Sequence, residues 1–214
     1  MAPIRPTRAP ATGCLFAICT ALALQGCASS YTLVPPRLDL QAHGAVALVT
    51  FSAQGNERLA AYATERFAEV ALANQPGVEL VELDAADLGL PGPAADADGE
   101  AIAEAVRARH DVGAVFVGEL VVSGVKPRGG LAGIGSAQVG ADVDATLAVR
   151  LVATRSGATV WRARSAATAG VGHASATGRF PSVSVRDPNE AYGEAVNQAV
   201  VGVTRDLRPT RVRQ

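Results

Sequence analysis

The chain has 214 residues, of which 49% are hydrophobic, and its 19 basic and 20 acidic residues give a formal net charge of −1 at neutral pH. A chain of this length buries roughly 70% of its unfolded surface as one domain, so we expect a single hydrophobic core. The balanced charge provides no global basic field, and we therefore expect no nucleic-acid partner.

The beginning of the chain has the layout of a secretory signal. Arg5 and Arg8 precede an uncharged apolar run, and the segment ends in Leu24-Gln25-Gly26-Cys27. The apolar run ends at Leu24 after about a dozen residues, whereas a membrane-spanning helix needs ~20. We therefore predict that residues 1–26 are a signal peptide that is removed. There are two alternatives to a signal that is cut directly before a functional Cys27. One is an ordinary signal followed by a coincidental cysteine, and the other is a short anchor left uncut.

The mature chain would begin with its only cysteine, Cys27, because the other two cysteines leave with the signal. An exported chain without disulfides depends on its hydrophobic core. Residues 27–44 contain Pro35, Pro36 and Gly44, which oppose regular structure. We predict that this segment is a flexible tether with a reach of at most ~60 Å.

The next part of the chain alternates strands and helices. Apolar runs predict strands at Ala45–Phe51, Val78–Leu83 and Val112–Val122, and helical periodicity begins after Asn56 and after the predicted N-cap Asp98. Short links between these elements imply right-handed crossovers and three parallel strands, of which the third is central.

An antiparallel hairpin is predicted further along the chain. Ala141–Thr154 alternates apolar and polar residues, so one face of this strand is exposed to water. A three-residue loop with a left-handed Gly157 keeps the apolar residues of both strands on one face. That register pairs Thr154 with Ala158, Leu151 with Trp161, Val149 with Ala163 and Arg150 with Arg162. The arginine pair costs up to ~1 kcal/mol, and we leave open whether both side chains extend into water or an acidic group neutralises them.

The remaining segments are predicted to be two loops, a helix and a tail. Ser123–Gly140 and Ala169–Arg186 are rich in glycine and small residues, and we predict that both are loops. Asp187 begins a capping-box pattern with a proline at the first helical position, and the apolar stripe of the helix ends at Leu207. Residues 209–214 are predicted to be a solvated basic tail.

These elements predict one α/β domain over residues 45–208, with two or three layers and a mixed sheet of about five strands in the order β-α-β-α-β-β-β-α. Residues 24–27, which precede these elements, resemble the lipobox of bacterial lipoproteins. The order of the elements is similar to that of the lipoprotein superfamily that includes the curli secretion channel CsgG and the penicillin-binding-protein activator LpoB. The amino-terminal domain of TolB is a more distant relative. The resemblance lies in Ala47–Phe51, Ala114–Gly118 and Val149–Trp161.

The resemblance implies a function in the bacterial cell envelope. It implies a diacylglycerol on Cys27, which would attach the protein to the membrane, and adaptor or assembly work through protein–protein binding without enzymatic chemistry. Ala28 and Ser29 give no sign of inner-membrane retention, so we expect a lipoprotein of the outer membrane that faces the periplasm. Self-association is left open.

Potentially reactive side chains form no recognised catalytic or metal-binding pattern. Lys126 and Arg128 lie among six glycines of Ser123–Gly140, but this segment has neither P-loop nor GxGxxG spacing. The three histidines lack local ligand spacing, and no nucleophile motif is present. We therefore predict no enzymatic activity, no metal and no cofactor. A small-ligand binding protein or hydrolase using the carboxyl edge of the sheet is the alternative.

The predicted topology suggests one candidate surface. The carboxyl ends of the parallel strands share one end of the sheet, and the hairpin returns the segment 169–186 to that end. Five residues are predicted to meet there as a partner surface that points away from the membrane: Lys126, Arg128, His173, Arg179 and Phe180.

Overall fold

The protein is described from a computed structural model, which covers residues 31–53, 55–131, 136–177 and 180–213. It divides into a larger unit, Pro35–Pro209, and a smaller one whose described residues are 31–34 and 210–213. The elements in chain order are β1 (Tyr31–Val34), β2 (Val46–Val49), β3 (Ser52–Ala53), α1 (Glu57–Asn74), β4 (Leu80–Leu83), α2 (Gly99–Arg107), β5 (Ala114–Val122), β6 (Lys126–Leu131), β7 (Ser136–Ala153), β8 (Thr159–Thr177), β9 (Phe180–Val185), α3 (Pro188–Val203) and β10 (Thr210–Arg213).

The larger unit is built on one mixed sheet with the strand order β4-β2-β5-β7-β8-β9, in which β3 pairs with β5 and β6 pairs with β7. β2 is parallel to β4 and to β5, whereas β7 is antiparallel to β5. The predicted α/β class, the order of elements and the three parallel strands are confirmed. The sheet has eight strands rather than about five.

Two of the three additional strands, β6 and β9, lie in the two segments that were predicted to be loops. β6 pairs with the first part of β7, from Lys126 opposite Asp142 to Leu131 opposite Ala137. β9 pairs in the same way with the last part of β8. Glycine and small residues lower strand propensity, but the register continued from the β7–β8 hairpin supplies a backbone partner at each step. The loop predictions for Ser123–Gly140 and Ala169–Arg186 are therefore wrong.

Helices cover the two faces of the sheet unequally. α1 and α3 pack on one face, where Phe67, Phe116 and Leu147 are fully buried. α2 packs on the other face through Ile102 and Val106, against β2, β5 and one residue at the end of β7. The fold therefore has three layers over the parallel strands and two layers over β7 and β8.

Four aromatic rings connect the sheet with the α1 side of the core. Phe51, Phe67, Phe116 and Trp161 form successive edge-to-face pairs, with ring centroids 5.4, 5.0 and 5.9 Å apart. Such pairs contribute about 0.5–1.5 kcal/mol each beyond the area that they bury.

The β7–β8 hairpin largely has the predicted register. Arg150 lies opposite Arg162, and Gly157 has a φ of 68°. A bulge between Leu151 and Val152 shifts the pairing near the turn by one residue. Ala158 therefore lies opposite Ala153, whose N–H donates to the Ala158 carbonyl. The predicted pair of Thr154 with Ala158 is wrong.

The predicted flexible tether is ordered over part of its length. Leu38 and Leu40 are only 8% and 1% exposed. The buried Gln75 side chain accepts a hydrogen bond from the Leu40 N–H at 2.7 Å and donates to the carbonyls of Leu38 and Leu207. Burial of the two leucines and this three-way amide contact fix the segment to the end of α1, in spite of its prolines.

The smaller unit contains a two-stranded antiparallel sheet. Tyr31 of β1 lies opposite Arg213 of β10, and Val34 lies opposite Thr210. Residues that were predicted to be tether and solvated tail therefore pair with each other, and all eight side chains are exposed. No helix in the described ranges is long and apolar enough to cross a bilayer.

Replacement of Gln75 by alanine tests the importance of the ordered segment. We expect Gln75→Ala to lower the free energy of unfolding by about 2–4 kcal/mol, because it leaves the buried Leu40 N–H and two carbonyls without partners. Urea unfolding measures this change. Gln198→Ala is the control, since Gln198 is exposed and bonds only Glu194, and it should change stability by less than about 0.5 kcal/mol. An unchanged urea midpoint for Gln75→Ala would contradict this account.

Candidate functional site

The structure brings several residues of the predicted partner surface together. Arg128 lies opposite Gly140, Gly140 opposite His173, and His173 opposite Ser184, so these residues form a row across four strands. Lys126 lies two positions before Arg128 on β6. The row extends the sheet beyond the carboxyl end of β5, which is where the topology argument placed it.

The last two residues of the predicted surface are less well defined. Phe180 begins β9, and its backbone pairs with Thr177. Arg179 lies outside the described residues, as does the predicted lipidation site Cys27.

Carboxylates on β7 neutralise the basic residues of this surface. The Lys126 ammonium lies 2.7 Å from an Asp144 carboxylate oxygen, and Arg128 forms an ion pair with Asp142. The Thr168 hydroxyl also donates to Asp144, at 2.7 Å. The hydrogen bond from Lys126, followed by that from Thr168, holds the pKa of the Asp144 carboxyl below its ordinary value of 3.8. The surface is therefore polar but carries little net charge.

A cavity of about 850 Å³ opens beside the row. Gly140, Gly170 and Gly172 leave the backbone bare along its wall, and His173 and Ser184 contribute polar atoms. Its other charged groups include Arg186 and Glu194, which form an ion pair with each other. The volume is in the range of small-ligand sites.

A second group of charges lies on the face of β7 and β8 that is turned away from α1 and α3. Arg150 and Arg162 are cross-strand neighbours, and Arg164 follows two residues later on β8. These three arginines line a cleft of about 330 Å³ with apolar walls, which we call the arginine cleft. Glu119 also lines it and is its one acidic residue.

The arginines of the cleft differ in how they are held. Arg150 is half-buried and donates to the backbone carbonyls of Ala95, at 3.1 Å, and Ala97. It thus neither extends into water nor pairs with an acid, which were the two alternatives from the sequence. Arg162 and Arg164 are exposed, and neither has an ion-pair partner within residues 31–53, 55–131, 136–177 and 180–213.

The outer side of β8 is open over most of the strand. From Thr159 to Gly170 the strand pairs with β7 on one side, and within the described part of the chain no strand pairs with its other side. The pairing with β9 begins only at Gly172. We call Thr159–Gly170 the open β8 edge. An unpaired edge exposes a row of backbone N–H and C=O groups that can accept a further strand.

The two faces of the open β8 edge have different chemistry. Trp161 turns toward the helices, where its indole N–H donates to Asp206 at 3.2 Å. Arg162 and Arg164 project from the opposite face, and Ala166 and Thr168 are likewise exposed. The sequence predicts the pairing of Arg150 with Arg162 but not this site, since the alternation of residues along β8 does not reveal that the strand lies at an edge.

No metal-binding cluster occurs in the structurally described ranges. No group of three His, Cys, Asp or Glu side chains converges there.

Comparisons with known proteins give a partial likeness of fold. No family model matches the chain, and no curated protein matches its sequence. The PelC dodecamer from Paraburkholderia phytofirmans has 16% identity over 85% of this chain and 99% of that chain, with a TM-score of 0.43. Lipoprotein GNA1162 from Neisseria meningitidis has 12% identity over 59% and 83%, with a TM-score of 0.37. A minor lipoprotein from Acinetobacter baumannii has 11% identity over 79% and 96%, with a TM-score of 0.34.

Bacterial lipoproteins are thus among the solved structures that resemble this fold. All three TM-scores lie below 0.5, and a likeness at this level supports no conclusion on activity, partner or assembly. The resemblance to the CsgG and LpoB superfamily remains a prediction from the sequence.

The ion pair between Lys126 and Asp144 predicts a measurable titration. Lys126→Gln should raise the pKa of the Asp144 carboxyl toward its ordinary value, because it removes the main group that stabilises the carboxylate. NMR of the aspartate carboxyl carbons against pH measures this shift, and Lys126→Arg should largely preserve the low pKa. An identical Asp144 midpoint in Lys126→Gln and the native chain would contradict the assignment.

The sign of the associated stability effect follows from the lowered pKa. Stability from the Asp144 carboxylate is present above its unfolded-state pKa, near pH 4, and is lost as the pH falls through the lower folded-state pKa. We expect Lys126→Gln to reduce this acid-side loss.

Proposed function

We propose that the chain is a lipoprotein of the bacterial cell envelope that binds another envelope protein and catalyses no reaction. In this proposal a lipid on Cys27 anchors it in the outer membrane, with the folded part facing the periplasm. The open β8 edge is the observation that carries the binding function. Twelve consecutive residues present one free backbone side next to a polar face, and strand addition to such an edge is a common mode of protein recognition.

The topology of the larger unit supports a surface that points away from the membrane. The chain enters at the amino ends of β2 and β5, where the Gly113 N–H donates to the Ala45 carbonyl at 2.8 Å. β6 and β9 extend the sheet beyond the opposite end of β5. A protein attached through residues before Ala45 would therefore present the row of Arg128 and His173 at its far end.

The 850 Å³ cavity favours a second candidate function, the binding of a small ligand. His173 and Ser184 would supply the polar contacts. The charged groups are less available, since Arg128 pairs with Asp142 and Arg186 with Glu194. We prefer protein binding because the groups that would recognise a charged ligand are already engaged with each other.

The proposed anchor predicts a change of location. We expect the native chain to fractionate with membranes. The variants Cys27→Ala and Cys27→Ser should both be released in soluble form, because the lipid attaches to the thiol that they lack. Mass spectrometry of the amino-terminal peptide measures the modification directly. An unmodified thiol on a native chain that does not fractionate with membranes would contradict the anchor. That result concerns the anchor alone and not the open β8 edge.

The proposed binding edge predicts a site-specific contact. A photocrosslinking amino acid in place of Ala166, which is exposed on the open β8 edge, should form an adduct with another envelope protein in cells. The same amino acid in place of Arg58, exposed on α1, should not form that adduct. Equal yields at the two positions, or none at Ala166, would count against binding at this edge.

A further inference from the structure

The open β8 edge and the arginine cleft coincide on one strand. Arg162 and Arg164 belong to the part of β8 that is paired on one side only, and both project from the same face. A strand added to this edge would lie ~4.8 Å away, with its side chains ~5 Å from those directly opposite on β8. Two alternate side chains of the added strand would therefore face Arg162 and Arg164.

Positive charge is concentrated at this part of the sheet. Arg150 lies directly across from Arg162 on the inner side, so an added side chain opposite Arg162 would meet two guanidinium groups in one row. Glu119 is the single acidic residue of the cleft. Farther along β7, by contrast, Asp142 and Asp144 are already paired with Arg128 and Lys126. On this face, Arg162 and Arg164 thus have no ion-pair partner among the described residues.

We infer that the partner binds the open β8 edge with an extended acidic segment, whose carboxylates at two alternate positions face Arg162 and Arg164. This inference rests on the proposed function and names the chemistry of the partner. Carboxylates at these positions would form charge-assisted pairs with the guanidinium groups and relieve the repulsion between Arg150 and Arg162. The intervening side chains of the segment would lie on the helix side of the sheet, next to Trp161, Ala163 and Ser165.

A second copy of this chain fits the edge less well. Antiparallel pairing of β8 with its own copy brings arginines of both chains onto one face, which is destabilising. Another edge strand, β4, carries an exposed glutamate, Glu82, but this residue lies opposite Leu48 and therefore on the face covered by α1 and α3. Pairing of β4 with β8 in one continuous sheet would leave Glu82 and the arginines on opposite faces.

A peptide uses more of the site than another polyanion would. The free N–H and C=O groups of Thr159–Gly170 require a partner with alternating backbone donors and acceptors, which a peptide strand supplies. A phosphate-rich polymer could satisfy the arginines but not the backbone. An acidic peptide should therefore lose binding when its backbone amides can no longer form hydrogen bonds, whereas binding of a phosphate-rich polymer does not depend on such bonds.

The test is an NMR titration of the isotope-labelled full chain in detergent with nine-residue threonine peptides. The first peptide carries glutamate at positions 4 and 6, and the second, of the same composition, carries glutamate at positions 4 and 5. We expect the first to shift the amide signals of Thr159–Gly170 and to bind about two- to fivefold more tightly, because only alternate glutamates face both arginines. A lysine version of the first peptide, and one with all backbone amides N-methylated, should not bind.

Matched variants locate the interaction. Arg162→Gln with Arg164→Gln should weaken binding of the first peptide about three- to thirtyfold, since two cross-strand pairs of opposite charge are lost. Arg58→Gln with Arg109→Gln removes the same charge from exposed sites off β8 and should leave the Kd unchanged. Arg162→Lys with Arg164→Lys should retain most of the affinity, which separates charge from folding. Raising the salt concentration should weaken binding of the first peptide.

Other outcomes would overturn the inference. Equal binding of both glutamate peptides, or binding of the N-methylated peptide or of polyphosphate with the same signal shifts, would show a simple anion cleft without strand addition. Loss of peptide binding in the Arg58 and Arg109 control would show a non-specific charge effect. If the Ala166 adduct persists in cells with Arg162→Gln and Arg164→Gln, the proposed function stands and the acidic partner is wrong. If no Ala166 adduct forms in the native chain, binding at the edge itself fails.

Discussion

The register of β7 against β8 is the constraint on which the rest of the larger unit depends. Gly157 sets it at the turn, where its φ of 68° suits glycine and a side chain would come within 2.7 Å of the Glu100 backbone. From that turn the ladder continues to Ser136 opposite Thr177. Because the side chains of a strand alternate, this one register decides which residues meet the helices and which meet solvent. A shift of one residue would bury Arg150 and expose Leu151.

The same ladder distributes charge along the exposed face. At one end, Asp142 and Asp144 lie close enough to β6 to neutralise Arg128 and Lys126. Toward the turn, β6 is absent from the pairing, and the arginines have only Glu119 in their cleft. The pairing of β9 with β8 begins only at Gly172, so among the described residues no strand lies on the outer side of Thr159–Gly170, and Arg162 and Arg164 have no ion-pair partner. The open backbone side and the two exposed arginines therefore lie on the same segment of β8.

Local sequence signals predicted the elements whose causes are local. Asn56 and Asp187 were expected at helix starts, and their side chains accept hydrogen bonds from Leu59 and Asn189. Asp98 also precedes a helix, but its side chain forms no capping bond. The register at Arg150 and Arg162 could be predicted from the sequence, because the turn of a hairpin determines the pairing of its strands.

Features that depend on residues far away in the sequence could not be predicted. The glycine-rich parts of β6 to β9 become strands because neighbouring strands hold them, and their composition carries no such signal. Leu38 and Leu40 are fixed by Gln75, 35 residues from Leu40. The position of the predicted partner surface followed from topology, whereas its neutralisation did not, since Asp142 and Asp144 were interpreted simply as the wet face of a strand.

The pairing of β1 with β10 has a geometric consequence for the two ends of the polypeptide. Tyr31 and Arg213 are cross-strand neighbours, and Tyr31 follows Cys27 by four residues, a contour of at most ~14 Å. If Cys27 carries a lipid, Arg213 is held within a short distance of the headgroup region. A reporter protein joined directly after Arg213 would then be crowded against the bilayer.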